Sequence, residues 1–147
     1  MRRRGRCPLP VVAAAALAFP TLPIAAQAAP AGEINYMLYC MGCHVADGSG
    51  APGKVPSLRE SLPILAASRA GRRYLIEVPG AAQSPLSDRE LAQVLNWMIR
   101  TLSATAVPED FADFTATEVG IYRKSPLVDV RGTRARLLAG PAAATGH

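Results

Sequence analysis

Cys40, Met41, Gly42, Cys43 and His44 follow one another in the chain, and three of these five side chains can form bonds to carbon or metal. Two thiols separated by two residues can reach the two vinyl groups on adjacent rings of one porphyrin. A histidine directly after the second thiol is then placed under the iron on the same face. This is the C-x-x-C-H pattern of covalent haem attachment, in which one cofactor consumes all three groups. Covalent bonds hold the haem even where the pocket alone would not, so a short chain with a modest core can keep a large apolar group.

Other chemistries open to the same residue types fit less well. A thioredoxin-like redox pair also uses C-x-x-C, but it wants a preceding strand in a βαβ context, and residues 34 to 39 read as helix. A zinc site wants a second ligand pair, and the only other histidine is His147 at the far end. A structural disulfide between residues three apart is strained and leaves His44 unexplained.

The start of the chain reads as an address. Arg2, Arg3, Arg4 and Arg6 form a basic head, Val11 to Phe19 an apolar run, and Ala26-Gln27-Ala28 a small-residue cleavage site. Pro20 and Pro23 interrupt the run, which is shorter than the roughly 20 apolar residues of a spanning helix, so residues 1 to 28 are expected to be a signal peptide directing export to the periplasm. Residues 29 to 147 keep 12 of the 16 basic side chains against 11 acidic ones. The formal +5 of the full chain thereby falls to +1, which excludes a basic nucleic-acid-binding surface. Cys7 leaves with the leader, and Cys40 and Cys43 remain in an oxidising compartment, where two free thiols would not persist unused.

Helices are expected to position the motif. Ile34, Met37, Leu38 and Met41 recur at helical spacing, which predicts an apolar stripe on the helix that delivers the cysteines. Gly48, Gly50 and Gly53 mark a loop. A second helix is predicted from about Ala66 to Val78, stopped by Pro79-Gly80. Ser87 and Glu90 form a capping box for a helix over residues 88 to 102, whose Leu91, Leu95, Met98 and Leu102 share one face around Trp97. Thr115 and Glu118 open a short helix to about Tyr122, and residues 128 to 138 suit another, with Arg131, Arg134 and Arg136 on its wet side. Residues 103 to 140 are expected to lie on the core with Phe111 and Phe114 as pegs, and the last residues to fray.

From these residues the chain resembles the class I cytochromes c. In that family an aromatic-bearing helix runs into the haem motif, a Gly-rich turn follows, and a Pro-x-Leu segment returns over the haem. The chain offers Tyr36-Met37-Leu38-Tyr39 before Cys40, then Asp47-Gly48-Ser49-Gly50, then Pro56-Ser57-Leu58, with Pro56 twelve residues after His44. The resemblance implies an all-α, cytochrome c-like domain over residues 29 to 102 around one covalently bound haem c, and it says nothing of residues 103 to 147, which their own helix signals mark as a helical extension. It further implies that the Pro56 carbonyl accepts the Nδ1–H of His44, that Leu58 packs on the haem, and that the last core helix crosses the first at Trp97.

The pattern breaks at one place. The family presents a methionine as second axial ligand from a loop before the last core helix, but Gly80-Ala81-Ala82-Gln83-Ser84-Pro85-Leu86-Ser87 contains none. Met37 and Met41 are too close to the attachment site to reach the other haem face. Met98 is the remaining thioether candidate, beside another side chain such as His147 or an open, water-bound position. The resemblance implies a one-electron carrier rather than an enzyme, with redox proteins such as a periplasmic dehydrogenase or a terminal oxidase as partners. The missing methionine motivates the alternative of a ligand sensor or weak peroxidase with an open sixth site.

Overall fold

The computed structural model describes residues 30–105, 107 and 110–140, so the proposed leader and the final segment with His147 lie outside the described residues. Eight helices follow in order: α1 (Ala31–Tyr39), α2 (Met41–His44), α3 (Ser61–Ala66), α4 (Arg69–Glu77), α5 (Pro79–Ala82), α6 (Asp88–Leu102), α7 (Ala116–Tyr122) and α8 (Val130–Ala139). The only extended pairing among the described residues is an isolated bridge between Ala51 and Val55. No described helix is long and apolar enough to cross a membrane.

The longest helix, α6, forms where its start signal predicts. Ser87 Oγ accepts from the Glu90 backbone N–H, and the Glu90 carboxylate accepts in return from the Ser87 N–H, which satisfies two otherwise orphaned donors. Asp88 and Glu90 in the first turn and Arg100 in the last oppose the helix dipole. Its inner face buries Leu91, Val94, Leu95, Met98, Ile99 and Leu102.

Helix α1 crosses α6 in the most extensive helix pairing among the described residues. A Cβ on Gly32 would stand 2.6 Å from both the Gln93 carbonyl oxygen and the Trp97 Cβ, so this crossing exists only because position 32 has no side chain. One turn on, the Tyr36 ring packs at 5.1 Å from that of Trp97. The apolar stripe read from the sequence therefore points the wrong way: Ile34, Met37 and Leu38 are 44, 52 and 66 % exposed, and α1 buries Gly32 and Tyr36 instead. The closest approach of two helix axes needs the smallest residue at the contact, and that requirement outweighs the larger apolar area of the stripe.

The helix expected from about Ala66 to Val78 is α4, Arg69–Glu77, and a separate short helix, α3, precedes it. Ser68 adopts an extended conformation and its hydroxyl caps α4 at the Gly71 N–H, which breaks the chain from α3. The stop at Pro79 is as expected, with α4 ending at Glu77 and Val78 extended before the proline, and Pro79 then opens the short α5 as its first residue.

The segment after α6 is bonded to the helices before it. The Asn96 side chain exchanges two hydrogen bonds with the Phe114 backbone, at 3.0 and 2.7 Å. Arg72 of α4 holds Glu118 through two bonds at 2.8 and 2.6 Å and covers the Phe114 ring at 3.8 Å. Phe114 is buried and Phe111 half-buried, so the two phenylalanines do act as contacts, with polar clamps beside them. On α8 the expected wet side is only partly wet: Arg131 and Arg136 are exposed, whereas Arg134 is half-buried.

Candidate functional site

The chain changes direction at Cys40, which closes α1 by donating its N–H to the Tyr36 carbonyl at 2.9 Å. Cys40 O then accepts from the N–H groups of Cys43 and His44 at 3.1 and 3.0 Å, so one tight turn carries both thiols and the imidazole. The loop that follows folds back through bonds from Gly50 N–H to His44 O and from Leu58 N–H to Gly48 O. These bonds bring Pro56 and Leu58 to the same place as His44.

That place is a cleft of ≈ 390 Å³, within the range of ligand and cofactor sites. Cys40, Cys43, His44, Pro56, Leu58 and Met98 all line it, which gathers there every nominated residue except His147, a sixth-ligand alternative that lies outside the described residues. Met37 and Met41 do not line it. The remaining wall is mostly apolar, with Leu62, Leu65, Tyr74, Leu75, Leu86, Leu91, Val94 and Leu95 from α3, α4, α6 and the turn before α6. Sequence reasoning missed Tyr74 and the cationic rim formed by Lys54 and Arg134. Both cations would have needed knowledge of long-range packing.

The electrostatics match the chemistry of haem attachment better than that of a dithiol catalyst. Burial, and next the neighbouring Cys43, push the Cys40 thiol up to about 11. A thiol–disulfide exchange site needs a depressed value and a thiolate at neutral pH. Burial likewise lowers the pKa of His44, against a smaller opposing effect of the Pro56 carbonyl, which favours a neutral imidazole able to donate a lone pair to a metal. The buried His44 Nδ1 has no hydrogen bond of full geometry. The Pro56 carbonyl is thus near enough to polarise the ring but stops short of the bond that the resemblance implies.

A macrocycle with an apolar body, two vinyl groups and two carboxylates suits these residues: apolar walls, paired thiols, one neutral imidazole and a cationic rim. Among curated proteins the chain is similar to a cytochrome c-552 of Thermus thermophilus, with 32% identity over 106 residues, covering 60% of this chain and 81% of that protein. It is equally similar to the cytochrome c-552 of a particular strain of Thermus thermophilus, again 32% over 106 residues, covering 60% of this chain and 72% of that protein. No protein-family model matches the chain. With its helical fold, the cleft and these relatives together, the chain belongs to the c-type cytochromes. Its cofactor is covalently bound haem c, and its chemistry is electron transfer.

Proposed function

We propose that the chain is a monohaem one-electron carrier of the periplasm in which Cys40 and Cys43 hold the haem by thioether bonds and His44 Nε2 is an axial ligand. The observation that carries this reading is the convergence of the two thiols and the imidazole on one apolar cleft. Bound there, haem supplies a ferric/ferrous couple. The chain's own residues do the rest. The Pro56 carbonyl polarises the imidazole ring, and Leu58 and the leucines of α3 and α6 exclude water.

Met98 is the sixth-ligand candidate in this reading, being the one thioether that lines the cleft. It is only 7 % exposed and sits on the well-capped α6, which would give a rigid ligand and little reorganisation on electron transfer. The absence of methionine from residues 80 to 87 favours a second reading, an open sixth site that binds small ligands. Thioether ligation makes the ferrous form bind carbon monoxide slowly, whereas an open site binds it rapidly.

Exchange with partners fits the surface around the attachment site. Cys43 is exposed, and residues 34 to 46 contain no Asp, Glu, Lys or Arg. Exposed Ile34, Met37, Leu38, Tyr39 and Val45 lie along this stretch, an apolar surface suited to brief contacts with redox proteins such as a periplasmic dehydrogenase or a terminal oxidase. The test of the whole reading is expression of the full chain in a cell that matures c-type cytochromes. The product should be red, lack its leader and have the added mass of one haem. A colourless product of unmodified mass overturns the reading, and Cys40→Ala with Cys43→Ala should give that product.

A further inference from the structure

We propose that Arg123 is a positioning residue that holds the 79–86 wall of the haem cleft in place and so limits how readily a small molecule reaches the iron. The inference rests on the haem reading above. Its origin is a concentration of five hydrogen bonds from one guanidinium, four of them to backbone carbonyls of the 79–86 segment.

Arg123 closes α7, and its side chain is only 15 % exposed. Its guanidinium donates from Nε to Ala82 O at 3.2 Å, and from Nη2 to Ala82 O at 3.1 Å and Ser84 O at 2.9 Å. From Nη1 it donates to Leu86 O at 2.7 Å and to the Asp88 carboxylate at 3.1 Å. A planar five-donor fork is thus wrapped by alternate carbonyls of one turn. Among the described residues no backbone N–H bonds the Ser84 or Leu86 carbonyl, so Arg123 alone satisfies them. Left unpaired and partly buried, such carbonyls would pull the turn toward water.

The other side of this turn faces the cleft, with Pro79, Gly80, Ala81, Ser84 and Leu86 in its lining. Apart from Arg123, this segment is held by short-range hydrogen bonds within residues 78 to 84 and by the buried Ala82 and Leu86. Of residues 80 to 85 only Ala82 is buried, and small side chains contribute few contacts. Low contact density makes a segment prone to local opening, so one clamp can dominate its stability. The clamp reaches the turn because α7 lies hard against the start of α6: a Cβ on Gly120 would meet Asp88 Oδ2 at 2.6 Å. The same turn is the stretch from which the resembled family presents its second axial ligand. In this chain it has no methionine, and what it contributes is a lid fixed from outside.

The test uses the full-length, haem-loaded protein and measures carbon monoxide association to the ferrous form and imidazole binding to the ferric form. Arg123→Gln should accelerate both at least about tenfold, the scale of one lost charge-assisted hydrogen bond. Arg123→Lys keeps the charge but cannot span three carbonyls, so it should accelerate them as well. Arg72→Gln removes a comparable clamp on Glu118 that does not touch the turn, and should stay within about twofold of the wild type. Hydrogen exchange should rise in residues 80 to 87 of Arg123→Gln and not of Arg72→Gln. Wild-type rates in Arg123→Gln, or equal acceleration by Arg72→Gln, overturn the proposal. If Arg123→Gln cannot be obtained loaded with haem, wild-type rates in Arg123→Lys overturn it. A colourless wild-type chain sinks the haem reading itself, whereas a red chain with unchanged variant kinetics sinks only the role of Arg123.

Discussion

The hydroxyl of Tyr36 donates to the backbone carbonyl of Val45 at 2.5 Å and ties the middle of α1 to the residue that follows His44. Val45 sits at φ 56° and ψ 172°, a region that side chains other than glycine's avoid and β-branched ones avoid most. Burial, then the neighbouring Cys40 and Asp47, raise the Tyr36 phenol to about 12, so it remains a donor throughout the neutral range. Tyr36→Phe keeps the ring against Trp97 but leaves the carbonyl unpaired, and it should lower stability by about 1–2 kcal/mol. Val45→Gly removes strain worth roughly 1–3 kcal/mol and gives back about 1 kcal/mol in chain entropy, so it should be neutral to stabilising. Denaturant unfolding of the haem-loaded variants measures both, and a large loss from Val45→Gly would count against strain at this position.

Met98→Leu separates ligation from packing. The two side chains have similar volume, so the swap at this buried site should cost less than about 1.5 kcal/mol of stability from packing alone. If the thioether is the sixth ligand, the ferric charge-transfer band characteristic of methionine ligation disappears, the midpoint potential falls and carbon monoxide binding accelerates. An unchanged spectrum leaves Met98 a packing residue, and the rate of carbon monoxide binding then separates an open site from ligation by another side chain.

Whether a residue's role is legible in the sequence depends on how far along the chain its partners lie. Cys40, Cys43 and His44 are neighbours in sequence, and one turn of backbone places them, so their shared role is legible without a structure. The same holds for α6, whose start signal is contained within residues 87 to 90 and whose inner face follows from periodicity. The buried face of α1 is not legible in this way. It depends on the carbonyl of Gln93 and the Cβ of Trp97 lying where a side chain on Gly32 would be, a fact of two helices and not of one. Arg123 reads in sequence as one more charge near a helix end, yet its acceptors lie 35 to 41 residues earlier. Arg134 belongs to a stripe with Arg131 and Arg136 until α8 is docked, and only docking turns one of the three inward.

The capping box gives the fold a pH-dependent component. Side-chain and backbone hydrogen bonds from Ser87 hold the Glu90 carboxyl below its ordinary value. A depressed acid contributes stability that is fully present above its unfolded pKa, roughly 4.3, and is lost as pH falls through the lower folded value. Glu90→Gln should therefore flatten the acid side of the stability curve below about pH 4.5 relative to the wild type, while leaving the slope near neutrality unchanged. Thermal unfolding of the haem-loaded protein across that range reads the difference. Parallel curves for the two proteins would show that the box does not titrate with folding.

Arg134 is a half-buried cation at the edge of an apolar cleft, and among the described residues it has no carboxylate within ion-pair distance. Placing a guanidinium there without a counter-ion is unfavourable, and the haem's own carboxylates are the anions that would offset it. A fixed positive charge close to the haem favours the ferrous state, which carries one positive charge fewer. Arg134→Gln should lower the midpoint potential by on the order of tens of millivolts, the Coulomb scale at an effective dielectric of about 20. Loss of the cation also raises the pKa of the facing carboxylates, so the potential should vary more steeply with pH in the variant. Arg136→Gln is the matched comparison, since that side chain is exposed and pairs with Asp129 at 3.6 Å away from the cleft lining. Spectroelectrochemical titration of the three proteins decides the matter: equal potentials in Arg134→Gln and wild type would mean that the α8 cation does not face the haem carboxylates.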